Sequence, residues 1–220
     1  MWRTLPNALG LPLAPADAVV AARGELAAIA SDTGALAAQS AWTLSAEAFL
    51  RGDAREGARW RSRPGAMDPG IRGVRYLSVI ADALETAALG RADSALVLTD
   101  TLFMDDGSGL LGGPFARAVL HLQRGHWARE SGRPAVAESA WLFHQNSHLR
   151  GWPRRETQAG EVDAVMSVYA RLLGGELALE QGRRVAGCRM LRRVDQLWTG
   201  ADSAFDALRE RARRAAAACA

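Results

Sequence analysis

The chain has 220 residues, 49% of them hydrophobic and 23% charged, with a net charge of +3. This is the composition of an ordinary globular chain, long enough for one well-buried core or one run of stacked repeats, and it excludes a disordered polymer. So small a net charge gives no ground for nucleic-acid binding. No apolar run approaches the roughly 20 residues needed to cross a bilayer.

All 27 basic side chains are arginine. The absence of lysine removes P-loop, kinase ATP-pairing and Schiff-base chemistry together. What remains is a large set of forked, permanently charged donors suited to carboxylates and phosphates.

Residues 1–15 (MWRTLPNALGLPLAP) read as an irregular arm, broken by Pro6, Pro12 and Pro15 and poor as a signal peptide. The expected location is therefore cytoplasmic. A periplasmic site, or one peripheral to a membrane complex, is the alternative. From residue 16 to 220 strand signals are nearly absent. Apolar residues recur at spacings of three and four, and Gly- and Asp-rich breaks separate helix-length segments.

Four of those breaks share one shape: FLRGDAREGARW around Gly52, AALGRADSALVL around Gly90, RESGRPAVAESAW around Gly132 and ALEQGRRVAGCRML around Gly182. Five residues after each glycine stands a small residue (Gly57, Ala95, Ala137, Gly187). Seven residues before it stands another (Ser45, Ala83, Gly125, Gly175). Small residues on both sides of a turn let two antiparallel helices approach closely.

Several shorter motifs lie between these units. Asp100, Asp105 and Asp106 lack the alternating spacing and closing Glu of a metal loop, and read as solvated helix-end residues. Gly107, Gly109 and Gly112 form a GxGxxG, but a helix precedes it where a dinucleotide site needs a strand. It reads as a loop, with Pro114 opening the next helix. His121 and His126 share a helix five residues apart, on different faces.

His144 and His148 stand one helical turn apart in WLFHQNSHLRGWPRRETQ. No Glu, Cys or Asp ligand accompanies them, and Asn146-Ser147 favours a helix end. The loop that follows is the longest between units. It carries Arg150, Trp152, Arg154 and Arg155, the residue types enriched at binding hot spots. A solvated loop with Trp152 tucked under a helix is the competing reading.

Cys188 and Cys219 form no metal spacing. In a straight hairpin turning at Gly200 they miss each other by roughly 9 Å at 1.5 Å per residue, so two unbridged thiols are expected. The last stretch has an N-cap at Asp202 and a polar outer face, as a terminal capping helix would.

The four units resemble the tetratricopeptide repeat, whose small positions fall at these offsets. The spacings of 38, 42 and 50 between anchor glycines exceed that family's 34. RGWPRRETQAGEVD and CRMLRRVDQLWTGADSAFDALRERA are similar to the repeat tails of bacterial kinases and transcriptional regulators. The resemblance implies an all-α fold over 16–220, a right-handed array of antiparallel helix pairs forming one domain. It places Gln39, Trp42, Phe49, Leu84, His126, Arg129, Tyr169 and Glu176 on inner helices facing a concave groove. The competing reading is that a short array closes on itself and makes them core.

The protein-binding set expected is thus Trp42, Phe49, His126, Arg129, Tyr169 and Glu176, with the loop residues Arg150, Trp152, Arg154 and Arg155. No catalytic constellation, metal ligand set or cofactor is expected. The functional expectation is a non-catalytic scaffold that binds other protein subunits as an accessory or extrinsic part of a larger complex, a membrane-associated one included. A ligand- or peptide-sensing module of a signalling system is the alternative.

Overall fold

In the computed structural model, residues 4–63, 74–104, 113–146 and 157–219 are described. Among them the fold is all-α, with eleven α-helices, a short 3₁₀ turn at Ser203–Phe205 and no strand. In chain order the helices are α1 (Thr4–Ala8), α2 (Ala16–Ile29), α3 (Ala35–Leu50), α4 (Ala54–Arg61), α5 (Val74–Ala88) and α6 (Ala92–Met104). Then come α7 (Gly113–Glu130), α8 (Pro134–Asn146), α9 (Thr157–Glu180), α10 (Arg184–Leu197) and α11 (Asp206–Ala217). No helix among the described residues is long and apolar enough to cross a membrane. The chain packs as two units, Met1–Leu120 and His121–Ala220, so the boundary falls inside α7.

The four glycine breaks fold into the same turn. Gly52, Gly90, Gly132 and Gly182 all have positive φ, between 68° and 79°, a conformation that costs glycine no Cβ clash. At each, the following residue donates its N–H five residues back, to Ala48, Thr86, Ala128 and Ala178, at 2.7–3.1 Å. The glycine N–H donates to Phe49, Ala87, Arg129 and Leu179. This is the Schellman closure, which satisfies the orphan carbonyls at a helix end. Each following helix then starts alike, with the N–H of Gly57, Ala95, Ala137 and Gly187 donating to the carbonyl of Asp53, Arg91, Arg133 and Arg183.

The predicted small positions are where the helices of a pair touch. Ser45, Ala83, Ala95 and Ala137 are fully buried. The Ser45 hydroxyl donates to the Gly57 carbonyl at 2.9 Å. A Cβ on Gly57 would lie 2.5 Å from the Phe49 ring, and one on Gly187 would lie 2.8 Å from both Leu179 and the Gly175 carbonyl. Gly125 faces Trp141 and Gly175 faces Leu191 in the same way. In both cases the glycine stands seven before its anchor and its large partner nine after. One steric rule therefore serves different hairpins.

In the first unit α3 is the central helix, touching α1, α2, α4 and α5. Its buried residues run around the whole helix from Ala37 to Phe49, which suits a helix enclosed on all sides. Its buried polar groups are mostly answered. Thr43 Oγ1 donates to the Gln39 carbonyl at 2.8 Å. Glu47 meets Arg23 Nε and Arg51 Nε, each at 3.0 Å. Burial pushes the Glu47 carboxyl upward, and the two guanidiniums pull it back. Ser40 Oγ is buried without a hydrogen-bond partner.

Two expectations need correction. The arm is not irregular throughout: residues 4–8 form α1, and Leu5 and Leu11 are fully buried. Asn7 is the reason. Its Nδ2 donates to the Ala14 carbonyl at 3.0 Å and its Oδ1 accepts from the Leu13 N–H at 2.9 Å, clasping the Pro-rich loop around it. The cysteines, expected apart, form a disulfide with their Cα atoms 5.7 Å apart. The reversal is not a tight turn at Gly200. Eight residues, 198–205, separate α10 from α11. Cys188 lies nine residues before the end of α10 and Cys219 thirteen after the start of α11, a mismatch of only about 6 Å. The chain leaves the helix at Ala217, and Cys219 sits in the turn beyond.

Candidate interaction site

Four of the residues expected on a groove meet in the second unit. His126 and Arg129 come from α7, Tyr169 and Glu176 from α9. His126 lies edge-on to Trp141, with ring centroids 5.7 Å apart, and tilted to Tyr169 at 6.3 Å. Tyr169 is buried. Beside them Arg211 of α11 makes a forked pair with Glu176, Nε to Oε1 and Nη2 to Oε2, both at 2.7 Å. Arg129 Nη1 stands 3.7 Å from the same carboxylate, and its Nη2 donates to Glu180.

The electrostatics follow from this arrangement. Burial of His126, with the charges of Arg211 and Arg129 nearby, lowers its pKa to about 4. At neutral pH the imidazole is therefore uncharged, flanked by two cations and one neutralised carboxylate. It offers one neutral donor and one acceptor, and it is not set up to hold a proton at that pH.

Arg211 is the member that sequence reasoning missed. The terminal helix reads as a polar cap, and Glu176 lies 35 residues earlier, so no local spacing announces the pair. Its forked bond gives α11 a second role, as one wall of the cluster.

Trp42 and Phe49 belong to the first unit and are only 4% exposed. Phe49 is the ring that packs on Gly57. Leu84 is also buried. Their places are in the core, which matches the competing reading for that half of the set. His121 stacks on Phe143, with centroids 3.8 Å apart.

The helix end predicted at Asn146-Ser147 falls where the described residues stop, at Asn146. His148, Arg150, Trp152, Arg154 and Arg155 lie outside the described residues, as do Asp105, Asp106 and the glycines at 107, 109 and 112. The GxGxxG is flanked by α6 and α7, and Pro114 falls in the first turn of α7. Among the described residues no group of three His, Cys, Asp or Glu side chains gathers as a metal site.

No protein-family model matches the sequence, and comparison with curated proteins and with solved structures finds no match.

Proposed function

We propose that the chain is a non-catalytic, protein-binding scaffold built as a degenerate, right-handed, tetratricopeptide-like array of antiparallel helix pairs, with α11 as its terminal cap. One observation carries the reading: the same Schellman turn and the same start to the second helix recur at all four anchor glycines. Repetition of one supersecondary unit is the mark of arrays whose surface, not a buried catalytic centre, does the work. Exposed apolar side chains add support. Leu89 is 56% exposed and Val97 60%, both in the second hairpin.

The partner class is one or more protein subunits, with the membrane-associated complex expected from the sequence as the setting. The disulfide favours the second of the expected compartments, an oxidising one, over the cytoplasm. Native purification followed by mass spectrometry tests the reading. The expected result is recovery with a partner in fixed stoichiometry, lost in the Leu89→Asp, Val97→Asp double variant at unchanged melting temperature. Recovery of the chain alone, under conditions that keep other complexes intact, would remove the scaffold.

A further inference from the structure

Several arginines among the described residues are paired with carboxylates. Arg23, Arg51, Arg61, Arg129, Arg183, Arg211 and Arg213 each reach a carboxylate. A different arrangement holds around a cavity of about 870 Å³ in the second unit. Arg184, Arg189, Arg192 and Arg193 of α10 and Arg171 of α9 line it, and among the described residues no carboxylate does. Among the described residues no carboxylate pairs with Arg171, Arg189 or Arg192. Arg193 donates to the neutral Gln196 Oε1 at 3.2 Å.

The helix makes this face by its periodicity. Gly187, Cys188, Leu191 and Val194 are the buried positions of α10. Residues 185, 189, 192, 193 and 196, at spacings of three and four, form the stripe beside them. The disulfide closes the wall, since Cys188 and Cys219 both line the cavity. Val185, 84% exposed, and Met190 give it an apolar side.

We propose that this cavity binds a small, multiply charged oxyanion, phosphate- or carboxylate-bearing, held by forked bonds from Arg171, Arg189 and Arg192. Arginine presents two parallel donors to such groups. The volume lies within the roughly 300–1,000 Å³ typical of small-ligand sites, which favours a small anion over the edge of a macromolecule. The inference rests on the cavity alone and stands apart from the scaffold reading.

Isothermal titration of the full chain with sodium tripolyphosphate, and separately with citrate, tests it. The expected result is saturable one-site binding of at least one of them, weakened tenfold or more in the Arg189→Gln, Arg192→Gln variant. Both side chains are exposed, and an unchanged melting temperature verifies that the variant folds. The Arg213→Gln, Arg214→Gln variant alters two exposed arginines outside the lining and should change affinity less than twofold. Absence of binding to both anions overturns the proposal, as does an equal loss in the control variant. Binding to vesicles containing phosphatidylglycerol that neither free anion displaces would also overturn it, assigning the charge to a lipid surface.

Discussion

Gly125 lies so close beneath the indole of Trp141 that a Cβ at position 125 would sit 2.0 Å from Nε1. That nitrogen donates to the Leu122 carbonyl at 3.2 Å, so the ring is held against α7 by shape and by a hydrogen bond together. Any side chain at 125 must push the indole out and break that bond. Gly125→Ala is expected to cost about 2 kcal/mol by overpacking, read by urea denaturation. In a Trp141→Leu background the same substitution should cost under about 1 kcal/mol, because the clashing ring is gone. Equal penalties in the two backgrounds would refute the contact.

His126 predicts an acid sensitivity. Its folded pKa of about 4 lies below the unfolded value of 6.5. Between those values the unfolded chain binds a proton that the folded chain does not. Its contribution to stability is therefore complete above pH 6.5 and is lost as the pH falls through this window. At about 1.4 kcal/mol per tenfold change, the loss reaches up to about 3 kcal/mol near pH 4. His126→Gln should remove that part of the slope, measured as the difference between wild type and variant from pH 7 to 4. Parallel curves would show that the imidazole is not the group responsible.

Arg211 predicts where the titration midpoint moves. It is one of the two cations that depress the His126 pKa, and it also neutralises Glu176. Arg211→Met removes a positive charge and releases a negative one, and both changes favour the imidazolium. The midpoint of the His126 ring proton, followed by NMR, should rise. A midpoint that stays put would separate α11 from the cluster.

The Cys188–Cys219 bridge closes a loop of 31 residues. In the chain-entropy account, replacing both cysteines by serine costs about 3–4 kcal/mol. Guanidinium unfolding of the oxidised protein and of the double variant checks this. Alkylation of whole cells before lysis then reports whether the bridge exists in place. Reactive thiols at both positions would return the protein to a reducing compartment.

The segment 147–156 yields a prediction from composition alone. Trp152→Ala with Arg154→Ala should leave the melting temperature unchanged and weaken partner binding by more than about 1 kcal/mol. Unaltered affinity would take this segment out of the interface.

How much of this was legible in the sequence depends on the range of the interaction concerned. The glycine turns and the small residues around them are local, within nine residues of one anchor, and their spacing shows on the page. Gly57, Gly125, Gly175 and Gly187 stand where close helix contact demands them. What could not be read is non-local. Arg211 finds Glu176 across 35 residues. The cysteine pairing turns on the width of the 198–205 connection, which periodicity does not encode. The groove assignment of Trp42 and Phe49 came by offset, and offset cannot tell an inner helix lining a surface from one enclosed by α1 and α2.

The four anchor turns share one hydrogen-bond pattern, yet the anchors themselves are unevenly spaced. The glycines at 52, 90, 132 and 182 stand 38, 42 and 50 residues apart. A single insertion inside a hairpin would rotate the second helix by about 100° and carry its glycine or alanine off the seam. The length of each turn is thus as much a part of the fold as the glycine at its head.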